Sequence, residues 1–306
     1  MTRPIQSTSA PFGALHSPAR LGAALMVIAG ILFAVINLLG QYGTMVQGIA
    51  PTRLAFWQYF IAFVFSAPWV IRHGIKAMHT SALSLHVMRV VSSAIGVQLW
   101  ITGLAHVPIW QAIALIMLSP FFVTLGAGLF LGEKTTLERW IAVTVGFIGG
   151  MIILAPWAED FSAYALYPVG AAVFWALTSL LTKRMTATES PESLTVYLLL
   201  LLTPINLALA VSGDAGFGNL AIGANLVGLV MLSAGVLTAL AQYAIAKAYS
   251  VADAAYLQPF DHLKLPLNVG FGVLAFGFVP PGSMWLGSLL IVGASVYLLR
   301  QETRNA

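Results

Sequence analysis

The chain has no cysteine in 306 residues. That excludes disulfides, thiolate metal sites and a cysteine nucleophile. Charge is scarce too, with Asp, Glu, Lys and Arg making up only 8% of the sequence. A soluble domain carries about 25%, so this chain has too few charges to cover a water-facing surface. It also lacks a glycine-rich phosphate loop, which excludes a nucleotide-driven pump, and a His-Glu-x-x-His metal pair. The alternating ten-residue pattern of a membrane barrel is missing as well. Apolar sequence takes the place of charge: 59% of residues are hydrophobic and the mean hydropathy is +0.90.

The apolar residues fall into ten runs, at 21–41, 54–71, 85–104, 109–131, 138–155, 165–183, 194–212, 225–247, 253–278 and 282–299. Most are near the roughly 20 residues that span a bilayer as a helix. Helix is the expected form, because backbone in hydrocarbon must satisfy its own hydrogen bonds. With the N-terminus in the cytoplasm, twelve of the fourteen basic residues face inward: Arg3, Arg20, Arg72, Lys76, Arg89, Lys134, Arg139, Lys183, Arg184, Lys247, Arg300 and Arg304. Arg53 faces outward and Lys264 lies within a span. A missed or extra span would invert everything after it, so the positive-inside rule supports an even count. The expected fold is an all-α membrane protein with ten transmembrane helices and both termini cytoplasmic, in the cell (inner) membrane. The pI of about 9.4 then reports topology and not a nucleic-acid surface. Residues 1–20 read as a mobile cytoplasmic tail and 301–306 as a second tail. The first span has no small-residue cleavage site after it, so it is expected to be retained.

The two halves look like copies. Pro51, Leu54 and Trp57 align with Pro191, Leu194 and Tyr197 at an offset of 140. Ala24, Leu25 and Phe33 align with Ala165, Leu166 and Phe174 at 141, and Trp140 with Trp285 at 145. These offsets predict a duplicated five-helix unit, 21–156 and 165–300. Five is odd, so the second copy enters the membrane inverted. Inverted repeats give two nearly equivalent packings open to opposite sides, an architecture of many secondary transporters.

Several segments resemble a known family. Pro108, Trp110, Gln111 and Ala112 through Leu118-Ser119-Pro120, then Leu131-Gly132-Glu133-Lys134, Arg139-Trp140, Gly146, Gly149 and Pro156, are similar to an EamA repeat of the drug/metabolite transporter superfamily. In the second half Ala252-Asp253, Tyr256 and Pro259-Phe260-Asp261 resemble the family's ninth helix, followed by Gly277, Pro280 and Trp285. The Gly-Glu pair of the first repeat becomes Gly277-Phe278 in the second, and an Arg that many relatives carry early in helix two is Gln58 here. The resemblance implies a ten-helix carrier of small organic solutes. It does not fix the solute.

The ninth span holds the most unusual cluster. Gln258, Pro259, Asp261, His262, Lys264, Pro266 and Asn268 occur within eleven residues. On a helix, Gln258, Asp261, Lys264 and Asn268 share an arc of about 120°. Each charge facing lipid would cost at least about 2.5 kcal/mol, so the stripe should face the bundle interior. Asp261, His262 or Lys264 would contact the solute, with Asp261 and His262 as carriers of a coupling proton. The plainer alternative is a self-neutralising Asp261–Lys264 pair one turn apart. Asn37, Gln41, Trp57 and Gln58 in the first two spans suit a partly apolar, hydrogen-bonding solute, or else tie helices together. Gln111 is a further binding candidate. Trp100 and Trp110 read as interfacial belt residues, and His86 and Arg89 as snorkelling residues at a span end. Glu133, Lys134, Glu138 and Arg139 read as a solvated cluster, Asp253 as a helix cap, and Gly128–Gly132 and Gly146–Gly150 as close-packing pairs.

The function expected is secondary transport of a small organic metabolite, an amino acid or a related polar or aromatic solute, by alternating access. A nucleotide-like or flavin-like solute is the alternative. An intramembrane lipid-processing protein needs a catalytic constellation, and a channel needs a polar ring or filter; neither is evident. The partners are the solute and the bilayer, with no cofactor and no metal. A proton, an ion or the solute gradient supplies the energy. The sequence leaves oligomeric state open.

Overall fold

The computed structural model describes residues 18–74, 79–80, 82–130, 137–159, 161–212, 216, 220–221, 225–252, 257, 260 and 264–305. Everything regular among them is helical. Helix α1 (Pro18–Gln41) ends in a wide π turn, Tyr42–Val46. It is followed by α2 (Pro51–His73), α3 (Leu83–His106), α4 (Ile109–Ile116), α5 (Ser119–Phe130) and α6 (Leu137–Leu154). The second half holds α7 (Leu166–Met185), α8 (Pro191–Val211), α9 (Leu226–Val251), α10 (Lys264–Phe276) and α11 (Gly282–Asn305). Among the described residues six helices are long and apolar enough to cross a membrane, and shorter apolar helical stretches at Ile109–Val123, Trp140–Leu154, Lys264–Phe276 and Gly282–Ala294 accompany them.

The solvent logic is that of a membrane protein. Large apolar side chains line the outside, with Val64 52%, Leu229 58% and Leu289 70% exposed. Polar side chains lie inside, among them Asn37, Gln41, Gln58, Arg89, Asn206, Thr238 and Asn268. Water would reverse this arrangement. Lipid imposes it, because an unpaired polar group costs several kcal/mol in hydrocarbon. The buried groups therefore tie helices together. The Gln58 amide donates to Thr238 Oγ1 at 2.8 Å between α2 and α9. The Gln98 amide donates to Asn206 Oδ1 at 2.6 Å between α3 and α8.

The expected single fourth span is two pieces. α4 stops at Ile116 and α5 starts at Ser119. The cause is Pro120, which has no N–H to give Ile116 and whose ring would meet that carbonyl. Of the expected ninth span, 253–278, the helix Lys264–Phe276 is described. The expected closing tail, 301–306, is helical as far as Asn305. Of the tail at 1–20, residues 18–20 belong to α1 and the rest lie outside the described residues.

α1 packs along α9, α3 along α7, α2 against α8, and α6 along α11. Small residues set the closest crossings. Gly146 lies against the Phe121 ring and Gly150 against Leu118, so the Gly146–Gly150 pair serves packing. Between α6 and α11 the backbones themselves touch: a Cβ on Gly149 would sit 2.6 Å from the Gly287 carbonyl oxygen, and one on Gly287 equally close to that of Gly149. Backbone cannot move aside as a side chain can. Gly287→Leu should therefore destabilise the bundle by about 1–3 kcal/mol and lower its melting temperature in detergent by several degrees. Gly270→Ala, where an added Cβ meets nothing within 4 Å, should not.

Candidate functional site

A cavity lies at the centre of the bundle, between α1, α3, α7 and α9, and reaches α4, α8 and the start of α10. Its empty space, mouth included, is about 1060 Å³. Small-molecule pockets run roughly 300–1,000 Å³. The wall is mixed: Phe33, Ile113, Ile116 and Leu198 are apolar, while Ser93, Thr178, Ser179 and Thr182 carry hydroxyls.

One end is closed by a chain of hydrogen bonds. Trp100 Nε1 donates to Asn37 Oδ1 at 3.2 Å. Asn37 Nδ2 donates to Asn268 Oδ1 at 3.2 Å. Asn268 Nδ2 donates to the Lys264 carbonyl at 2.6 Å. Three helices, α1, α3 and α10, are thereby tied in one layer. Gln41 extends the closure, donating to the Val107 carbonyl at 3.0 Å and the Leu104 carbonyl at 3.4 Å. Beside this layer Trp100 and Trp175 pack with ring centroids 5.5 Å apart at 49°. Trp175 has room because Gly96 faces it; a Cβ there would come within 2.7 Å of the indole.

The other end carries charge. Arg89 is only 2% exposed and lines the cavity. Its two terminal nitrogens both donate to the Leu194 carbonyl at 3.1 Å, while its Nε has no partner. His86, three residues earlier on α3, is fully buried, with both ring nitrogens unpartnered. Its Nε2 lies 3.9 Å from the Glu189 carboxylate, and its ring 4.2 Å from that of Tyr197. Glu189 in turn accepts from the hydroxyls of Thr80 and Ser193. Lys264 lines the cavity from α10, its Nζ 5.1 Å from the centre of the Phe33 ring.

The sequence candidates divide accordingly. Asn37 and Lys264 come together at the cavity. Gln41 belongs to the closing layer, and Gln58 is held by Thr238. Trp57 donates to the Leu220 carbonyl at 3.2 Å, beside the Arg53 contact with the Ala221 carbonyl. Gln111 is half-buried at the start of α4, away from the cavity lining. Gln258, Asp261 and His262 lie outside the described residues, as do Asp253 and the Glu133–Lys134 pair.

Two sequence expectations are corrected. Trp100 is buried at 5% exposure, so it is a cavity residue and not a belt residue. Arg89 and His86 do not snorkel, because α8 and the turn before it cover them. The sequence reading also passed over Trp175, Thr178, Ser179 and Thr182. Their i, i+3, i+4, i+7 spacing marks one polar face on an otherwise apolar helix. Arg89, Ser93 and Trp100 share a face of α3 by the same rule.

Among the described residues no cluster of His, Asp and Glu could hold a metal. The arrangement is that of a solute chamber: closed by amides and indoles at one end, with cations and hydroxyls towards the other. Replacing Asn37 tests the closure. Asn37→Leu strands the Trp100 N–H and the Asn268 carbonyl oxygen, and should cost about 1–3 kcal/mol, read as a lower melting temperature in detergent. Asn268→Leu should do the same, and the double variant should lose less than the two losses added.

Comparison with known proteins agrees with this geometry. Residues 20–155 match the EamA-like transporter family. The chain is 52% identical to a protein named riboflavin transporter from Rhizobium johnstonii, over 94% of each chain. It is 49% identical to one of the same name from Vibrio cholerae, over 95% of this chain and 96% of that one. It is 27% identical to an S-adenosylmethionine uptake transporter from Rickettsia bellii, over 82% and 84% of the two chains. A solved crystal structure superimposes with a TM-score of 0.64 at 15% identity, covering 93% of this chain and 98% of that one, a likeness of fold alone. These relatives are named as carriers and not as enzymes. The chain is a membrane transporter of the EamA-like family of drug/metabolite transporters.

Proposed function

We propose that this chain carries a flavin, riboflavin in the first instance, across the cytoplasmic (inner) membrane by alternating access. The observation that carries the reading is the 52% identity, along nearly the whole chain, to a protein named riboflavin transporter. The relatives named for S-adenosylmethionine stand far lower, at 24–28%. The flavin-like alternative is therefore favoured over the amino-acid-like solute. The cavity supports it: an indole pair suits a flat conjugated ring, and hydroxyls, amides and Arg89 suit a polyhydroxyl chain and ring carbonyls.

The helix contacts support ten spans in two inverted repeats. If α1 corresponds to α7 and α3 to α9, the α1–α9 and α3–α7 contacts exchange with each other, and α2–α8 and α6–α11 map onto themselves. With the start of α1 in the cytoplasm, the cavity lining reaches the cytoplasmic ends of the helices through Met26, Arg89, Thr182 and Tyr249. The Asn37–Trp100–Asn268 layer closes the outer side. Gln258, Asp261 and His262, just ahead of Lys264, are the segment for further solute contact and for proton coupling.

Counterflow in liposomes tests the reading. Vesicles loaded with unlabelled riboflavin should accumulate labelled riboflavin, and excess S-adenosylmethionine or an aromatic amino acid should not compete. Trp175→Ala should raise the half-saturating concentration about tenfold, since stacking on an aromatic ring contributes about 1–3 kcal/mol. Exchange of an amino acid or S-adenosylmethionine with no exchange of riboflavin would sink the flavin reading.

A further inference from the structure

Arg89 is the buried group for which the packing of the protein gives no complete account. A guanidinium has five N–H donors in a planar fork. Two reach the Leu194 carbonyl, which leaves three, and Nε is buried without a partner. Among the described residues the one ion pair is His86–Glu189, so no carboxylate there lies within salt-bridge distance of Arg89. A cation this deep in a bundle is costly unless something it faces completes its hydrogen bonds. The cavity is what it faces.

The position constrains the missing partner. Arg89 and Trp100 are eleven residues apart on one face of α3, about 16 Å along the helix axis. Both side chains lean towards the start of α3, as helical side chains do, so that spacing holds at their tips. A solute that touches both must be elongated, with an aromatic part at the indoles and a strong acceptor at the far end. Ser93 and Thr182 border the space between, with hydroxyls for weaker polar groups. A planar fork pairs best with two acceptors lying in one plane. In a flavin that description fits the pyrimidinedione edge, whose carbonyls and ring nitrogens are coplanar. The hydroxyls of the ribityl chain are scattered along a flexible stem.

Resting on the flavin reading above, we infer that Arg89 is the specificity-determining group of this chamber. It grips the dione edge of the isoalloxazine ring from the cytoplasmic half of the cavity, while the Trp100–Trp175 pair takes the dimethylbenzene end. The Leu194 carbonyl holds the fork in orientation, so that its remaining N–H groups face the solute. Recognition then depends on the ring and not on the sugar-like chain.

Equilibrium binding to the purified full-length protein, read by flavin fluorescence, decides this. Riboflavin and lumiflavin, which lacks the ribityl chain, are measured on wild type, Arg89→Gln and Arg89→Lys. Wild type should bind both. Arg89→Gln should weaken both by at least about tenfold, and Arg89→Lys should recover only part, because an ammonium is not a planar fork. Flavins with sulfur at C2 or C4, whose thiocarbonyls accept hydrogen bonds poorly, probe the same contact with no change to the protein. One of them should bind wild type about tenfold more weakly, and that penalty should shrink in Arg89→Lys. Thio penalties equal in wild type and Arg89→Lys would overturn the assignment. So would a loss confined to riboflavin in Arg89→Gln, which would place Arg89 at the ribityl chain. A wild-type protein that binds neither flavin would overturn the flavin reading itself, and this inference with it.

Discussion

Hydrocarbon offers no hydrogen bonds, and the whole structure answers to that. Each polar side chain inside the bundle must find its partner on a neighbouring helix. The partner it finds fixes which helices touch. Gln58 on Thr238 ties α2 to α9, Gln98 on Asn206 ties α3 to α8, and Asn37 joins α3 to α10 through Trp100 and Asn268. Apolar packing alone would be weakly selective, because a lipid tail is as apolar as leucine. The amides choose the arrangement, and glycines such as Gly149 and Gly287 let the backbones close in behind them.

The same constraint separates structural polarity from functional polarity. Gln58 and Gln98 have found partners across a helix interface, and they hold the bundle together. Arg89 has found one carbonyl and retains donors beside a cavity. His86 is fully buried beside it with neither ring nitrogen hydrogen-bonded. Unsatisfied polarity in a membrane protein is expensive, so it collects where a solute or a proton can complete it. The chamber here is such a place. Its closed end is held by the hydrogen-bonded chain of Trp100, Asn37 and Asn268. Its other end holds the unmatched donors.

The broken helix at α4 and α5 lines the chamber too. Pro120 separates α4 from α5, and Ile116, Met117 and Ser119 meet the cavity at that break. Lys264 of α10 belongs to the same wall. Interrupted helices at the centre of a membrane carrier are tolerated because the irregular backbone lines a cavity and is not exposed to lipid.

Composition and charge placement made much of this protein legible in the sequence. Scarce charge and long apolar runs dictate helices in lipid, and the family resemblance follows from motifs around Pro108–Pro120 and Gly132–Trp140. Asn37 and Lys264 were recognisable as interior residues because a polar group in an apolar run has nowhere else to go. What the sequence could not supply was partnership. Arg89 and Trp100 sit near span ends, where an isolated helix would let them reach the interface. Only the packing of α8, α1 and α7 around α3 turns them inward. Gln58, Gln41 and Arg89 are equally polar in a linear reading. Thr238 engages the first, the Leu104 and Val107 carbonyls take the amide nitrogen of the second, and the third keeps unpaired donors beside a cavity. Whether a polar group is satisfied depends on which helix lies opposite, and that is decided in three dimensions.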